Sequence, residues 1–138
     1  MGDEPKKGIL FLCVANSARS QIAEGVARAK LGEHFRIQSA GSEPTHINPY
    51  AVRVMEEIGI DVSHQRSKSV ATIDPEDVAV VITLCDEEVC PVFLGEARRI
   101  HWPLKDPAGN PELDDDVQLE RFRNTRDALV AKIGALRI

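Results

Sequence analysis

A run of apolar residues near the start of the chain passes directly into a loop of small residues and then into a stretch with helical periodicity. The run GILFLCV occupies residues 8–14 and carries no charged side chain, which is typical of a parallel strand covered on both faces. Within residues 17–31, Ile22, Val26 and Ala29 fall on one face of a helix. This order of strand, loop and helix predicts the first unit of a parallel sheet with right-handed crossovers.

The same alternation continues along the rest of the chain. Further strands are predicted at FRIQSAG, DVAVVITLC and RRIHWPL, which are residues 35–41, 77–85 and 98–104. Helices are predicted at residues 48–58 and 115–136, and a short helical turn at residues 90–96. We therefore predict a single α/β domain over residues 1–138, with a four-stranded parallel sheet and helices on both faces. Residues 1–7 are expected to be flexible.

Composition and charge argue against several classes of protein. With 138 residues, of which 43% are hydrophobic, the chain can bury one core. A net charge of −5 argues against a nucleic-acid-binding surface, which is usually basic. The longest apolar run, VAVVITL, is far shorter than the roughly 20 residues that cross a bilayer, and the first residues lack the apolar segment of a signal peptide. We expect a monomeric cytoplasmic protein that binds neither nucleic acid nor membranes.

The carboxyl ends of the predicted strands bring four reactive or polar side chains to one edge of the sheet. Cys13, Ser39, Cys85 and Asp106 each stand close to the end of a different strand. Ligands of open parallel sheets bind outside this edge. The edge is therefore the predicted place of a functional site.

The loop after the first strand has the composition of an anion-binding site. Its small residues allow successive backbone N–H groups to point inward, and the start of the following helix adds partial positive charge. Arg19 offers two parallel N–H donors to a tetrahedral oxyanion. The same positive field is expected to stabilise a thiolate at Cys13, which then becomes a nucleophile facing the bound anion. The alternative is a buried structural cysteine with an arginine at the surface.

The segment CVANSARS, residues 13–20, resembles the phosphate-binding loop of the low molecular weight protein tyrosine phosphatase family, and the motifs SAG and DPA and the strand order match across nearly the whole chain. In that family the loop cysteine is the nucleophile, the arginine binds the oxyanion, and the aspartate of an Asp-Pro pair is the general acid. The resemblance implies these roles for Cys13, Arg19 and Asp106. It also implies that the oxyanion is bound by the loop residues Val14, Ala15, Asn16, Ser17, Ala18, Arg19 and Ser20.

Two branches of that family differ in the residues they need. The phosphatases typically carry an aromatic residue after the Asp-Pro pair, whereas Ala108 and Gly109 stand here. The thioredoxin-coupled arsenate reductases need two further cysteines, and TLCDEEVCP supplies Cys85 and Cys90. Reduction of As(V) to As(III) takes two electrons, which thiols can provide. The resemblance therefore implies an arsenate reductase, with phosphate and sulfate as competing oxyanions.

The implied reaction is a relay among three cysteines. Cys13 attacks arsenate, Cys85 attacks Cys13, and Cys90 then attacks Cys85, so that thioredoxin or a similar dithiol protein can reduce the final disulfide. Neighbouring parallel strands lie about 4.8 Å apart, so the first two cysteines can come within disulfide range if the first and third strands are adjacent. Four residues separate Cys85 from Cys90, whereas six separate the pair in the best-known reductases.

A cation site is the second point at which the sequence departs from its relatives. Some relatives bind potassium beside the loop through Asn, Glu, Ser and Asp side chains. Asn16, Glu24 and Ser39 match the first three, and Lys68 stands at the fourth. We expect the lysine ammonium to replace the ion, and the four histidines show no metal-ligand spacing. Neither a metal nor another cofactor is predicted.

Two other functions use fewer of these residues. A phosphatase acting on phosphotyrosine or small phosphate esters needs Cys13, Arg19 and Asp106 but neither later cysteine. A non-catalytic redox or anion-sensing module would use the thiols without turnover. Oxidation of reduced thioredoxin that depends on arsenate distinguishes the reductase from both.

Overall fold

The strands form one parallel sheet with β1 and β3 in its interior. The computed structural model describes residues 6–86, 89–93 and 95–137. The strands, in the spatial order β2-β1-β3-β4, are β1 (Lys7–Cys13), β2 (Phe35–Gly41), β3 (Val80–Thr83) and β4 (Arg98–His101). Every neighbouring pair is parallel. The predicted four-stranded parallel sheet is therefore confirmed, and its first and third strands are adjacent.

The described residues contain three α-helices, two of which lie between strands and the third after β4. They are α1 (Arg19–Leu31), α2 (Pro49–Glu56) and α3 (Asp115–Gly134), and single-turn 3-10 helices lie at Val70–Thr72 and Pro75–Asp77. α2 has a capped start, because the Asn48 side chain accepts a hydrogen bond of 2.9 Å from the N–H of Tyr50. α1 starts two residues later than predicted, because residues 14–18 form an irregular loop.

Each face of the sheet carries its own hydrophobic core. The larger core lies under the three α-helices and includes Phe11, Ile82 and Phe122. The smaller core lies on the opposite face and consists of Leu10, Leu12, Ala40, Ile73, Val78, Val81 and Phe93. Alternate residues of a strand point to opposite faces, so the continuous apolar run of β1 serves both cores. The α/β architecture is confirmed, with 3-10 helices rather than an α-helix on the second face.

The segment between β3 and β4 departs from the prediction. The described residues 90–93 and 95–96 form no helical turn, so the prediction of one over residues 90–96 is wrong. Cys90 is tied to Cys85 by a disulfide, Pro91 has no N–H to donate, and Phe93 is drawn into the smaller core. These constraints outweigh a weak local preference for a helical turn, whose formation alone is unfavourable.

The amino-terminal end of the described chain is attached to the sheet. β1 begins at Lys7, one residue inside the segment expected to be flexible, and residues 1–5 of that segment lie outside the described residues. The ammonium of Lys6 donates to the carbonyl of Gly32 at 2.9 Å. Within the part of the chain that the structure describes, no helix has the length and apolar character to span a membrane.

An ion-pair cluster joins the end of α2 to α3. Glu57 accepts hydrogen bonds from Arg123 Nη2 at 2.7 Å and from Arg126 Nη1 at 2.8 Å. Arg126 Nη1 also donates to the carbonyl of Val54 at 2.8 Å. The hydrogen bonds from Arg123 and Arg126 stabilise the carboxylate and lower the pKa of Glu57 from 4.5 to about 2.

We expect Glu57→Gln to lower the melting temperature at pH 7 by about 1–3 °C, a small effect because the cluster is partly exposed. A carboxyl with a depressed folded pKa stabilises the fold above its unfolded pKa and loses that effect as the pH falls toward the folded value. The difference from wild type should shrink between pH 4.5 and about 2. Thermal unfolding followed by circular dichroism measures it, and a difference that grows on acidification contradicts the assignment.

Candidate active site

The loop of residues 14–18 presents its backbone amides to a cavity because its carbonyls are bonded on the outside. Three backbone hydrogen bonds reach these carbonyls from residues 43–48, namely Glu43 to Val14 at 2.9 Å, Thr45 to Ala15 at 3.2 Å and Asn48 to Ser17 at 3.0 Å. In a trans peptide the C=O and the following N–H point in opposite directions. The N–H groups that follow these carbonyls are therefore turned inward, as an anion site requires.

Asn16 holds the loop in an unusual backbone conformation. Its φ angle is +47°, in the left-handed region, which asparagine tolerates better than most residues. The side chain is fully buried, and its Nδ2 donates to Ser20 Oγ at 2.7 Å and to Ser39 Oγ at 2.9 Å. Its Oδ1 accepts from Gln21 Nε2 at 3.1 Å and from the N–H of Lys68 at 2.8 Å. These four hydrogen bonds, two at Nδ2 and two at Oδ1, fix the backbone conformation of the loop at Asn16.

Gly41, the last residue of β2, allows the loop to lie directly against the sheet. A Cβ at this position would overlap the carbonyl oxygen of Val14 and lie 2.9 Å from the amide nitrogen of Asn16. Its own N–H donates to the carbonyl of Lys68 at 2.9 Å. The final glycine of the SAG motif is therefore needed for close approach of two backbones.

Cys13 is the last residue of β1 and a free, buried thiol with 2% of its surface exposed. Its Sγ lies 2.8 Å from Ser20 Oγ. Because Ser20 Oγ already accepts a hydrogen bond from Asn16 Nδ2, its own O–H is free to donate to the sulfur. The Ser20 hydroxyl therefore lies within hydrogen-bond distance of the predicted nucleophile, Cys13.

Arg19 is the first residue of α1, and 4% of its surface is exposed. Its Nη1 donates to the carbonyl of Leu104 at 2.9 Å and, more weakly, to that of Leu84 at 3.4 Å. The guanidinium thus spans the chain segments that follow β3 and β4. Leu84 directly precedes Cys85, so the predicted anion-binding side chain contacts the backbone next to the second cysteine.

A cavity of about 100 Å³ lies over the loop. Its lining residues are Cys13, Ala15, Ser17, Ala18, Arg19, Thr45, Asp106 and Ala108. This volume exceeds the roughly 10–15 Å³ that a single water molecule needs, so the cavity can admit a small ion. The structure thus brings together the nucleophile, the arginine and the aspartate that the sequence predicts.

The predicted loop residues divide into two groups. Ala15, Ser17, Ala18 and Arg19 line the cavity. Val14, Asn16 and Ser20 do not line it: the Val14 carbonyl accepts from Glu43, and the Asn16 and Ser20 side chains bond to each other. Two lining residues, Thr45 and Ala108, were missed by sequence reasoning. Neither carries a local signal, except that Ala108 belongs to the DPA motif.

Asp106 reaches the cavity from an exposed turn after β4. Its Oδ1 accepts a hydrogen bond from the N–H of Ala108 at 2.9 Å, which is an Asx turn of the kind that DPAG favours. Asp106 can therefore form the turn and serve as the predicted acid at the same time, since one carboxylate oxygen bonds to the backbone while the residue lines the cavity.

Cys85 emerges at the same edge of the sheet as Cys13. Leu12 pairs with Thr83 in the β1–β3 register, and the N–H of Leu84 donates to the carbonyl of Leu12 at 2.9 Å. Cys13 and Cys85 directly follow these hydrogen-bonded neighbours. Adjacent strands lie about 4.8 Å apart, so the two cysteines leave the sheet side by side.

Cys85 and Cys90 form a disulfide with a Cα–Cα distance of 5.5 Å. Cys85 is 1% exposed, whereas Cys90 is partly exposed. The spacing of four intervening residues, shorter than in the best-known reductases, is therefore compatible with a bond between these two cysteines.

The polar cluster behind the loop contains Lys68 beside a buried carboxylate. Lys68 Nζ lies 3.6 Å from Glu24 Oε1, and the same carboxylate accepts from Ser39 Oγ at 2.5 Å. Burial lowers the pKa of Lys68, and attraction to Glu24 opposes that shift. The ammonium thus lies next to Glu24 and Ser39, two of the groups predicted to surround a cation.

Comparisons with known proteins by family model, by sequence and by structure agree with one another. Residues 8–137 match the family model described as low molecular weight phosphotyrosine protein phosphatase. The chain is 41% identical over 130 residues to an arsenate reductase of Halalkalibacterium halodurans, and the alignment covers 93% of each chain. It is similar to a solved arsenate reductase in the phosphate binding state, with a TM-score of 0.76 and 34% identity over 93% of this chain and 94% of that one. A thioredoxin-dependent arsenate reductase of Corynebacterium glutamicum has a TM-score of 0.65 and 27% identity over 92% of this chain and 60% of that one.

We expect potassium to have no specific effect on the protein, because the Lys68 ammonium already lies beside the Glu24 carboxylate. The melting temperature and the affinity for phosphate should be equal in potassium and sodium chloride at the same ionic strength. Lys68→Asp is the matched variant, since it introduces the acidic residue of the potassium-binding relatives, and it should gain a potassium-specific rise in melting temperature. Such a rise in the wild-type protein would contradict the replacement of the ion by Lys68.

Proposed function

The chain belongs to the low molecular weight phosphotyrosine protein phosphatase family, and we propose that it is an arsenate reductase within that family. The observation that carries the proposal is the Cys85–Cys90 disulfide beside a free, buried Cys13. Hydrolysis of a phosphate ester needs one nucleophilic cysteine, whereas reduction of arsenate needs further thiols as the source of two electrons. The relatives named arsenate reductase support the same activity.

The first step is attack of the Cys13 thiolate on arsenate. The loop amides and the guanidinium of Arg19 hold the oxyanion, and the Ser20 hydroxyl supports the thiolate at 2.8 Å. A sulfur–arsenic bond forms and one arsenic–oxygen bond breaks. Asp106, which lines the same cavity, protonates the departing oxygen, which leaves as water.

The next two steps move oxidation from arsenic to the cysteines. Cys85 attacks the sulfur of Cys13, a Cys13–Cys85 disulfide forms, and the electron pair of the broken sulfur–arsenic bond reduces As(V) to As(III). Arsenite then leaves. Cys90 attacks the sulfur of Cys85 and frees the Cys13 thiolate, which yields the Cys85–Cys90 disulfide that the structure contains.

A dithiol protein of the thioredoxin type is the proposed reductant. Val89 and Val92, on either side of the partly exposed Cys90, are 89% and 73% exposed. Apolar side chains this exposed beside a reactive disulfide suit contact with a protein partner. A structural relative is a thioredoxin-dependent arsenate reductase, which supports this choice. Since the disulfide must be reduced after each turnover, we expect the protein to act in the cytoplasm, and we expect it to act as a monomer.

Phosphatase activity is the second candidate, because the matching family model is named for it. Cys13, Arg19 and Asp106 line one cavity and would suffice for transfer of a phosphoryl group to the thiolate and its release to water. No aromatic side chain lines this cavity in the described part of the chain, so it offers no stacking surface for a phosphotyrosine ring. A slow reaction with small phosphate esters is therefore expected beside the main activity.

We expect Arg19→Lys to lower kcat/KM for arsenate about a hundredfold, because a lysine ammonium cannot reproduce the bidentate fork of the guanidinium. The fold should survive, since the β1–β3 pairing and the Asn16 hydrogen bonds do not involve this side chain. Steady-state kinetics with thioredoxin and a melting curve measure the two effects separately. Near-normal turnover in the variant contradicts the role of Arg19.

Cysteine variants distinguish the steps of the relay. Cys90→Ser should release about one arsenite per protein and then stop with a Cys13–Cys85 disulfide, because two thiols hold the two electrons that one arsenate needs. Cys85→Ser should release none but still hydrolyse a small phosphate ester slowly, because water resolves that intermediate. Cys13→Ser should lose both activities. Arsenite release, ester hydrolysis and mass mapping of the disulfides measure these outcomes.

Two results would overturn the relay. Continuous turnover of Cys90→Ser with thioredoxin would mean that the partner reduces the first disulfide directly. Continuous arsenate-dependent turnover of Cys85→Ser would remove the need for a second thiol and leave the phosphatase as the better assignment.

A further inference from the structure

The chain between β3 and β4 carries Cys90 and is fixed to the body of the protein near both ends. At its start, Cys85 is buried directly after the hydrogen bond between Leu84 and Leu12. Toward its far end, Phe93 is 4% exposed and packs in the smaller core. Cys90 lies three residues before Phe93, which limits their Cα separation to roughly 10 Å. The position of Phe93 therefore restricts where the Cys90 thiol can be.

Arg99, on the edge strand β4, holds this far end. Its Nη2 donates to the carbonyl of Phe93 at 2.6 Å and to the carbonyl of Gly95 at 3.0 Å. Its guanidinium carbon lies 6.0 Å from the centroid of the Phe93 ring, within the range of a cation–π interaction. One side chain thus contacts two backbone carbonyls and the aromatic ring of the same short segment.

The backbone at Gly95 lies against the Phe93 ring. A Cβ at position 95 would lie 2.5 Å from Cε2 and 2.8 Å from Cζ of Phe93, closer than van der Waals contact permits. The backbone at Gly95 therefore packs directly on the ring. Phe93 is enclosed by the smaller core, by this backbone and by the Arg99 guanidinium.

We propose that Arg99 is a positioning residue of the thiol relay, which fixes the far end of the Cys90 segment so that Cys90 stays close to Cys85. The proposal rests on the proposed function, because the relay requires Cys90 to meet Cys85. With this anchor, the chain after Cys85 is held again at Phe93. Without it, the chain would be free as far as the start of β4, and the entropic cost of bringing the two thiols together would rise with the length of the free chain. Arg99 takes no part in bond making.

The guanidinium suits this role better than an ammonium would. A planar fork with several N–H donors is pre-organised to hold two carbonyls at once and to stack on a ring. Lysine at the same position retains the charge and the contact with the ring but holds fewer donors in a fixed geometry. Arg99→Lys is therefore the conservative variant that should restore part of the function lost in Arg99→Gln.

The thiol–disulfide equilibrium of Cys85 and Cys90 in glutathione buffers tests the anchor without arsenate. In a Cys13→Ser background, the two cysteines give up two electrons and two protons to glutathione disulfide, which yields their disulfide and two glutathione molecules. Arg99→Gln should lower this equilibrium constant about twofold to fivefold, as expected for a longer free chain, and Arg99→Lys should lie in between. Alkylation of the free thiols followed by mass spectrometry gives the oxidised fraction.

Arg98→Gln is the matched control. Arg98 is the neighbouring exposed arginine of β4, and its Nη1 donates instead to the carbonyl of Arg137 at 3.2 Å. This variant should leave the glutathione equilibrium unchanged, and melting curves of all variants should show that they are folded. A wild-type equilibrium in folded Arg99→Gln, or an equal change in Arg98→Gln, overturns the proposal.

Arsenite release separates this proposal from the proposed function. With Cys13 intact and no external reductant, Arg99→Gln should still release about one arsenite per protein, because the first disulfide does not involve Cys90. If the wild-type protein releases none, the proposed function fails, while the glutathione equilibrium still decides the role of Arg99. Loss of arsenite release in Arg99→Gln alone would also overturn the proposal, because Arg99 would then act on the first step.

Discussion

The side-chain amide of Asn16 holds together the separate pieces of chain from which the site is built. It bonds to Ser20 and Gln21 in α1, to Ser39 in β2 and to the backbone of Lys68. A left-handed backbone angle at a residue other than glycine costs about 1 kcal/mol or more and persists only where the surroundings determine it strongly. Here the four bonds do so in a buried place, where an unsatisfied polar group is costly.

That constraint determines which groups surround the Cys13 thiol and the predicted anion site. With Asn16 donating to Ser20 Oγ, the serine hydroxyl can donate to Cys13 Sγ, so one amide orients both the loop backbone and the hydroxyl beside the predicted nucleophile. The loop carbonyls are bonded outward by residues 43–48. The amides predicted to bind the oxyanion therefore already face inward, and such prior orientation is the condition for electrostatic stabilisation without reorganisation.

The order of the strands explains how one small sheet can serve both anion binding and thiol chemistry. β1 and β3 are neighbours, so Cys13 and Cys85 leave the same edge although they are far apart in sequence. Arg19 donates to the carbonyl of Leu84, which links the predicted anion-binding side chain to the backbone next to Cys85. Of the described residues after Cys85, Phe93 packs in the smaller core and Cys90 is partly exposed.

The sequence by itself determined the parallel α/β fold and the loop that carries Cys13 and Arg19. Apolar periodicity and short motifs are patterns of residues close in sequence, so they can be recognised without the structure. The sequence overestimated the lengths of β3 and β4 and predicted a helical turn at residues 90–96 that the structure lacks, because strand ends depend on pairing and Phe93 is held by a distant core. Only the tertiary structure decided that Thr45 lines the cavity and that the Ser20 hydroxyl lies beside the Cys13 thiol. Such contacts depend on the three-dimensional position of each chain segment, which no local pattern records.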